Sequence, residues 1–441
     1  MKREIAVVGA GWAGLAAAVE ATTAGARVTL FEMAPHAGGR ARSVVTASEV
    51  AEPATRLDNG QHICIGAYTE TLRLLRQVGV SERHAFVRMP LTLVDSRGFG
   101  LRLRAGRPLP AFVLAVLGRR GWHWRDRLAL LRRAARWSHD GFRCDASATV
   151  AQLCRGLAVA VQRDFIEPLC VAALNTPMTQ ASGNVFLRVL HDALTAGPGS
   201  ADLLLPRLDL GGVFPEPALA WLRGEGAAVR LATRVERIEH VAGTAGGAWA
   251  VGGARFDGVV VAASAVEAAR LVAPHAPHWA AQAAALRYEP IVTVYARSAG
   301  CRLPDPMLAL AADAESPAQF VFDRGQLGGE EGLLALVASG AAHWVERGAD
   351  VTARAALEQA RVALRAHLHG PLELVRTIVE KRATFACTPG LERPPAQINS
   401  GFFAAGDYVA GPYPATLEGA VRSGVAAARA TLAGLRSENS A

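Results

Sequence analysis

The chain has 441 residues, 51% of them apolar, with 47 basic and 39 acidic side chains for a net charge of +8. That length gives roughly two or three domains with ample core, and the composition excludes disorder, collagen and a disulfide-stapled miniprotein. The six cysteines form no C-x-x-C pair, which leaves zinc-ribbon, thioredoxin-like and iron–sulfur readings without support and makes reduced cytosolic thiols the expectation.

The chain opens as strand, turn, helix, strand. Residues 4–8 are a short apolar strand, 9–14 a glycine turn, 15–24 an alanine-rich helix closed by Gly25, and 27–31 a second strand ending at Glu32. The first apolar run carries three glycines, so it reads as strand and turn and not as a signal peptide. A glycine and arginine loop follows at 37–43, then Leu57-Asp58-Asn59-Gly60-Gln61-His62 and a helix over 68–78. Residues 95–107 resemble a β-ribbon and 110–200 are mostly helical. Strands are expected at 228–231, 235–239 and 256–262, and a helix at 217–223. Further on, β-like runs at 291–295 and 332–338 alternate with a helix over 351–367. Residues 402–407 read as a strand ending in Gly-Asp, 417–432 as a last apolar helix, and 436–441 as a frayed tail. No stretch of about 20 apolar residues lacks charge, so no spanning helix is expected.

The charge is uneven. Only Lys2 and Lys381 are lysines; the other 45 basic residues are arginine, a skew of the kind coding bias produces. Between Arg97 and Trp137, however, lie eleven arginines and one acid, Asp126, so this stretch carries +10 and the rest of the chain −2.

The turn at 9–14 reads G-x-G-x-x-G. Alone it is a weak signal, but a strand precedes it, a helix follows, and an acid sits 21 positions after Gly11. Gly9 permits the tight turn, Gly11 lets the backbone approach a pyrophosphate, and Gly14 lets helix pack on strand. The helix start offers free N–H groups to phosphate, and Glu32 can accept from ribose hydroxyls. NAD and FAD both satisfy this pattern. Gly38-Gly39-Arg40 and the distant Gly406-Asp407, ahead of Thr416-Leu417-Glu418-Gly419-Ala420, argue for FAD.

These segments resemble the amine oxidase and phytoene desaturase superfamily of FAD flavoproteins: VVGAGWAGLAAA with FE, AGGRARS, TRVERIE and FFAAGDYVAGPYPATLEGAVRSG. LDNGQHICIGAYTETLRLL, EPLCVAALNTP, FPEPALAWL and VEKRATFACTPG resemble its hydroxysqualene dehydroxylase branch, the squalene-associated flavoproteins. The likeness runs over about residues 4–430. It implies an α/β fold: a Rossmann-type, doubly wound FAD-binding domain built from 1–85, 205–270 and 385–435, with a discontinuous α+β substrate domain from 86–204 and 271–384. It implies that Gly9, Gly11, Gly14, Glu32, Gly39 and Arg40 hold the ADP half of FAD and that Val235 meets the adenine. Gly406 and Asp407 would hold the ribityl–pyrophosphate region, Gly60 and Gln61 would lie near the isoalloxazine, and Thr416, Leu417, Glu418, Gly419 and Ala420 would approach the pyrimidine edge.

The same resemblance implies reductive removal of the hydroxyl of hydroxysqualene, giving squalene on the way to hopanoids or carotenoids. Hydride would pass from reduced flavin N5 to an allylic carbocation, and an acid must reach the leaving hydroxyl. Candidates are His62, Asp58, Tyr413 and Lys381. Each has a plainer reading: Asp58 and His62 flank a glycine turn, Tyr413 sits between Pro412 and Pro414, and Lys381 can be a surface lysine. No histidine pair has metal-ligand spacing, so no metal is assigned, and no G-x-S-x-G supports an esterase. Rival readings are a carotenoid-type desaturase, an amine oxidase, or a flavin-bound scaffold that delivers isoprenoids without turnover.

A C30 isoprenoid alcohol lives in lipid. The stretch 97–137 combines its arginines with Phe112, Leu114, Val116, Leu117, Trp122, Trp124, Leu128, Leu131 and Trp137, a composition suited to a membrane surface. An ordinary helical domain with solvated arginines reads the same way. The expected place is cytoplasmic, peripheral at the inner face of the membrane, beside squalene-pathway enzymes and without nucleic acid as a partner.

Overall fold

The computed structural model describes residues 2–45, 56–241 and 248–437. The elements that position the site are, in chain order, β1 (Glu4–Val8), α1 (Trp12–Thr23), β2 (Arg27–Phe31), α2 (Pro108–Gly118), α3 (Trp124–His139), α4 (Glu167–Leu174), β3 (Gly258–Val261), β4 (Tyr288–Arg297), β5 (Phe320–Asp323), β6 (Leu333–Ala338), β7 (Glu373–Phe385), β8 (Phe402–Ala404) and α5 (Leu417–Ser437).

One sheet is assembled from three distant parts of the chain. Ala228–Arg230, β2, β1, β3 and β8 run parallel in that order, and Gln397–Asn399 adds an antiparallel edge. Strands buried on both faces need continuous apolar runs, which is how β1 after Glu4 and the whole of β3 read. The pleat divides them: Ile5 and Val7 pack with α1 and α5, while Ala6 and Val8 pack with Trp249, Val251 and Phe256. The second face is therefore covered by the antiparallel strands Ile238–Val241, Ala248–Val251 and Ala254–Phe256.

A second sheet is antiparallel, in the order Met307–Ala309, β5, β6, β4, β7. Alternation again sets its faces. Phe320, Phe322, Ala335 and Val337 join the core on one side, while Val321, Leu334 and Leu336 pack on the other with the helix Ala349–Ala363. The expected α/β class with a Rossmann-type sheet and a mixed second region is what the chain adopts.

The differences are local. The helix after the glycine turn begins at Trp12, with Gly11 as its N-cap. The strand expected at 235–239 is Ile238–Val241, and residues 233–237 run without sheet partners. The strand expected at 256–262 is split, with Ala254–Phe256 in the antiparallel sheet and β3 in the parallel one. Residues 436 and 437 continue α5, and 438–441 of the expected tail lie outside the described residues. Among the described residues no helix is long and apolar enough to cross a membrane.

Candidate active site

An elongated cavity of about 420 Å³ runs from the carboxyl ends of β1 and β2 to the second sheet. Ligands of open α/β sheets lie at this strand end. At its nucleotide end, Gly9 has φ +109°, and a Cβ there would come within 2.6 Å of the Ala262 carbonyl oxygen. Gly14 does not line the cavity; a Cβ on it would collide with the Gly9 carbonyl, so its work is close packing of helix on turn. Gly11, by contrast, faces open space, the nearest atom to its Cβ position being Gly39 Cα at 4.0 Å. No side chain caps the first turn of α1, and Gly11, Trp12 and Ala13 line the cavity. The free amides of that turn give the cavity an end suited to an anion.

Glu32 stands at the rim. Its Oε2 accepts the Ala10 N–H at 2.7 Å and its Oε1 the Ala34 N–H at 2.8 Å. Each oxygen keeps a lone pair for a ribose hydroxyl. Val235 lines the same end on the irregular stretch 233–237. Arg270 fixes that stretch: its guanidinium donates to the Glu236 carbonyl at 2.6 Å and the Val235 carbonyl at 2.9 Å.

Midway, Gly39, Arg40, Gly406 and Asp407 line the cavity. Arg40 donates through Nη2 to Asp407 Oδ1 and through Nη1 to the Ala383 carbonyl at 2.9 Å. This pair ties the N-terminal loop to the turn after β8. Further along, Gly60, Gln61, Thr416, Leu417 and Ala420 line the cavity too. Thr416 caps α5: its Oγ1 accepts the Gly419 N–H at 2.9 Å. Gly419 itself does not line the cavity; a Cβ there would collide with the Tyr413 carbonyl.

Glu418 needs correction. Its fully buried carboxylate turns away from the cavity and accepts from Glu70 N, Thr71 N, Thr71 Oγ1 and Arg422 Nε at 2.6–3.1 Å. It caps the helix Thr69–Gln77, whose first amides would otherwise be unpaired in the interior.

Of the four acid candidates, only His62 lines the cavity. Its Nδ1 lies 2.7 Å from the Gly60 carbonyl, an acceptor only, so Nδ1 carries the proton and Nε2 is the free acceptor. Burial lowers its pKa below the usual histidine value, so the ring is neutral at pH 7. Asp58 is buried behind the cavity wall, where its Oδ1 accepts the Leu210 N–H at 2.7 Å. Burial, opposed by Arg324, raises its pKa to about 6. Tyr413 lies outside the cavity, between the guanidiniums of Arg188 and Arg422 at 5.3 and 4.9 Å from its ring. Lys381 is exposed on β7 and lines nothing, whereas its neighbours Glu380, Ala383 and Thr384 do line the cavity. The strand is irregular here: its register shifts between the Thr384–Glu289 and Glu380–Ile291 pairs, so simple alternation does not set which of residues 380–384 face the cavity.

The far end is apolar. Val171 and Leu174 of α4, Ile291 of β4, Phe320 and Phe322 of β5 and Val337 of β6 line it. None was singled out in the sequence, because alternation marks two faces without saying which is the wall of a cavity. Arg324 was missed as well. It is buried, and its Nη1 donates to Gln61 Oε1 at 3.2 Å. Arginine only donates, so the Gln61 amide is held with oxygen toward Arg324. Gln61 Nε2 and Tyr408 Oη, both on cavity-lining residues, are buried with no partner.

A dinucleotide with a polar ring fits this set of groups: uncapped amides and Glu32 for its phosphate and ribose, and unpartnered donors at Gln61 and Tyr408 for its ring end. Residues 12–432 match the family described as flavin containing amine oxidoreductase. A hydroxysqualene dehydroxylase of Zymomonas mobilis is 27% identical, over 96% of this chain and 97% of that one. One from Sinorhizobium fredii is 26% identical, over 97% and 98%. An oxidoreductase from Methanosarcina mazei has a similar structure, with a TM-score of 0.71 over 96% of this chain and 99% of that one. At 14% identity that likeness is one of fold alone.

Proposed function

Because the chain belongs to the flavin-containing amine oxidoreductase family, it is an FAD-dependent oxidoreductase, and we propose that it reductively removes the hydroxyl of hydroxysqualene to give squalene. The observation that carries this reading is a single cavity with a nucleotide cradle at one end and an apolar wall at the other. Reduced FAD, when bound, supplies hydride; the hydroxyl leaves with a proton as water. Everything else is the work of the chain.

Gly9, Gly11, Glu32, Gly39, Arg40, Val235 and Asp407 would hold the cofactor, and the start of α5 would meet its ring. The apolar wall of Ile291, Phe320, Phe322 and Val337 binds a hydrocarbon chain and excludes water from the reacting carbon. His62 is the candidate placed to deliver the proton. Protonation would put a hydrogen on Nε2 while Nδ1 stays on the Gly60 carbonyl, so the ring need not turn.

The reading includes a C30 isoprenoid alcohol as substrate, a place in squalene and hopanoid synthesis, squalene-pathway enzymes as neighbours, and a peripheral position at the cytoplasmic face of the membrane. Amine oxidases and carotenoid-type desaturases share this fold and cofactor, so the fold does not separate them from a dehydroxylase. Direction of electron flow does. Given a reductant, the purified protein is expected to form squalene from hydroxysqualene; given an oxidant, it is expected to leave carotenoid precursors and amines unchanged. The opposite pattern would overturn the assignment.

A further inference from the structure

A surface helix ordinarily buries an apolar stripe and shows a polar one. Helix α2 has no polar side chain at all. Its buried side carries Ala111, Phe112 and Val116. Its outward side carries Leu109, Val113, Leu114 and Leu117, which are 44%, 36%, 56% and 49% exposed. With Pro110 these fall on one arc of roughly 140°, since each residue turns about 100°. Trp124, the first residue of α3, is 67% exposed. It adjoins the end of α2, where Arg127 Nη1 of α3 donates to the Leu117 carbonyl at 2.6 Å. Of the broad stretch first marked for lipid contact, Phe112, Val116, Trp122 and Trp137 are core and Leu128 and Leu131 are half-buried, so the exposed apolar surface is this arc and Trp124.

The arginines around it are also unusual. Arg97, Arg102 and Arg119 pair with Asp95, Asp305 and Asp164. Arg104 and Arg107 precede α2, Arg120 follows it, and Arg125 lies in the first turn of α3 with its guanidinium 5.6 Å from the Trp124 ring; all four are exposed and form no ion pair among the described residues. Unpaired guanidiniums flanking an exposed apolar face complement a layer of phosphates above hydrocarbon. A protein partner would need acids to match them, whereas an anionic bilayer supplies phosphates for the guanidiniums and an interfacial layer for Trp124.

We propose that the outward face of α2 and Trp124 insert into the headgroup layer of an anionic phospholipid bilayer, with Arg104, Arg107, Arg120 and Arg125 on the phosphates. This deepens the membrane contact proposed above and rests on the lipid-substrate reading for its purpose. The inner side of α2 then matters. Phe112 packs on Phe165, with ring centroids 6.0 Å apart. Phe165 lies in the turn Gln162–Ile166 that leads straight into α4, whose Val171 and Leu174 line the cavity. The docked face is thus one helix removed from the apolar end of the site.

The test is sedimentation of the FAD-loaded protein with phosphatidylcholine vesicles, with and without phosphatidylglycerol. Binding is expected to require phosphatidylglycerol and to weaken with salt. The double variant Leu114→Asp, Leu117→Asp should bind at least about tenfold more weakly, while its turnover of detergent-dispersed hydroxysqualene stays within about twofold of the parent. Arg120→Gln with Arg125→Gln should weaken binding about tenfold and flatten the salt dependence. Wild-type indifference to phosphatidylglycerol, or unchanged binding by the double aspartate variant, would overturn the proposal. So would a parent dimer that the aspartates split, with vesicle binding unaffected; the face would then join two copies of this chain. Failure of turnover in detergent would strike the activity alone, because vesicle binding is read without substrate.

Discussion

The two ends of the cavity are built in opposite ways. The nucleotide end comes largely from residues 9–40, one strand, one turn and one helix, with each part fixed by its neighbours in sequence. The substrate end takes Gly60 to His62, Val171 and Leu174, Ile291, Phe320, Phe322 and Val337 from five separate elements. At the first end, backbone sterics dictate the residue: Gly9 and Gly14 have no alternative. At the second, side-chain chemistry depends on which way a loop or strand faces, and that is decided by packing far away in the chain. One end should therefore fail through loss of binding, and the other through loss of rate.

The largest expected effect separates two glycines of one motif. Gly11→Val fills only the open space before α1, so the protein should fold and purify colourless, which absorbance reports directly. Gly14→Ala drives a Cβ into the Gly9 carbonyl and should cost about 3 kcal/mol or more of stability, read by denaturant unfolding. A folded, flavin-loaded Gly11→Val would break the account of the nucleotide end.

The substrate end is sharpened by His62→Ala, which should keep its flavin and lose about 10²–10⁴-fold in turnover. Tyr413→Phe and Lys381→Met should stay near the parent rate, since neither lines the cavity. The pH profile carries a sign. Burial holds the His62 pKa below 6.5, so the protonated donor is scarce at pH 7. Turnover should climb as pH falls and level off only below the ordinary histidine range. A profile rising toward alkaline pH would remove His62 as the donor.

Arg40→Met joins the two ends, because it leaves the buried Asp407 without its cation. Flavin affinity should fall about 10- to 100-fold, and adding Asp407→Asn should recover part of that loss, measured by flavin fluorescence titration. The smallest effect is on stability. Asp58 titrates near 6 in the fold against 3.8 ordinarily, so the folded state holds more protons in that window and stability falls as pH rises from about 4 to 6. Asp58→Asn keeps an acceptor for the Leu210 amide, should flatten that slope, and should stabilise the protein above pH 6 by on the order of 1–2 kcal/mol. Thermal unfolding across pH reads both.

What was legible follows the same division. The strand–turn–helix–strand opening, Glu32 and the Gly-Asp after β8 were readable because the turn needs glycine and the strand ends are marked by charge. The antiparallel layer under the parallel sheet was not, because residues 235–239 look like one strand and only tertiary pairing places its start at Ile238. Glu418 shows the limit most plainly. Its position at the start of α5 is as expected, yet its side chain serves the helix Thr69–Gln77, a helix nearly 350 residues earlier in the chain. Lys381 misled through rarity: being one of two lysines said nothing about which face of β7 it occupies. Arg324 and Arg270 carried no signal among 45 arginines, since their roles, fixing Gln61 and the 235–236 backbone, exist only in the fold.

The central claim is that electrons leave the flavin for the alcohol. An anaerobic single turnover tests it: the purified protein is reduced, hydroxysqualene is added in detergent, and flavin absorbance is followed while lipids are extracted. The account predicts reoxidation with one squalene formed per flavin. A flavin that stays reduced while the alcohol is recovered intact would contradict it.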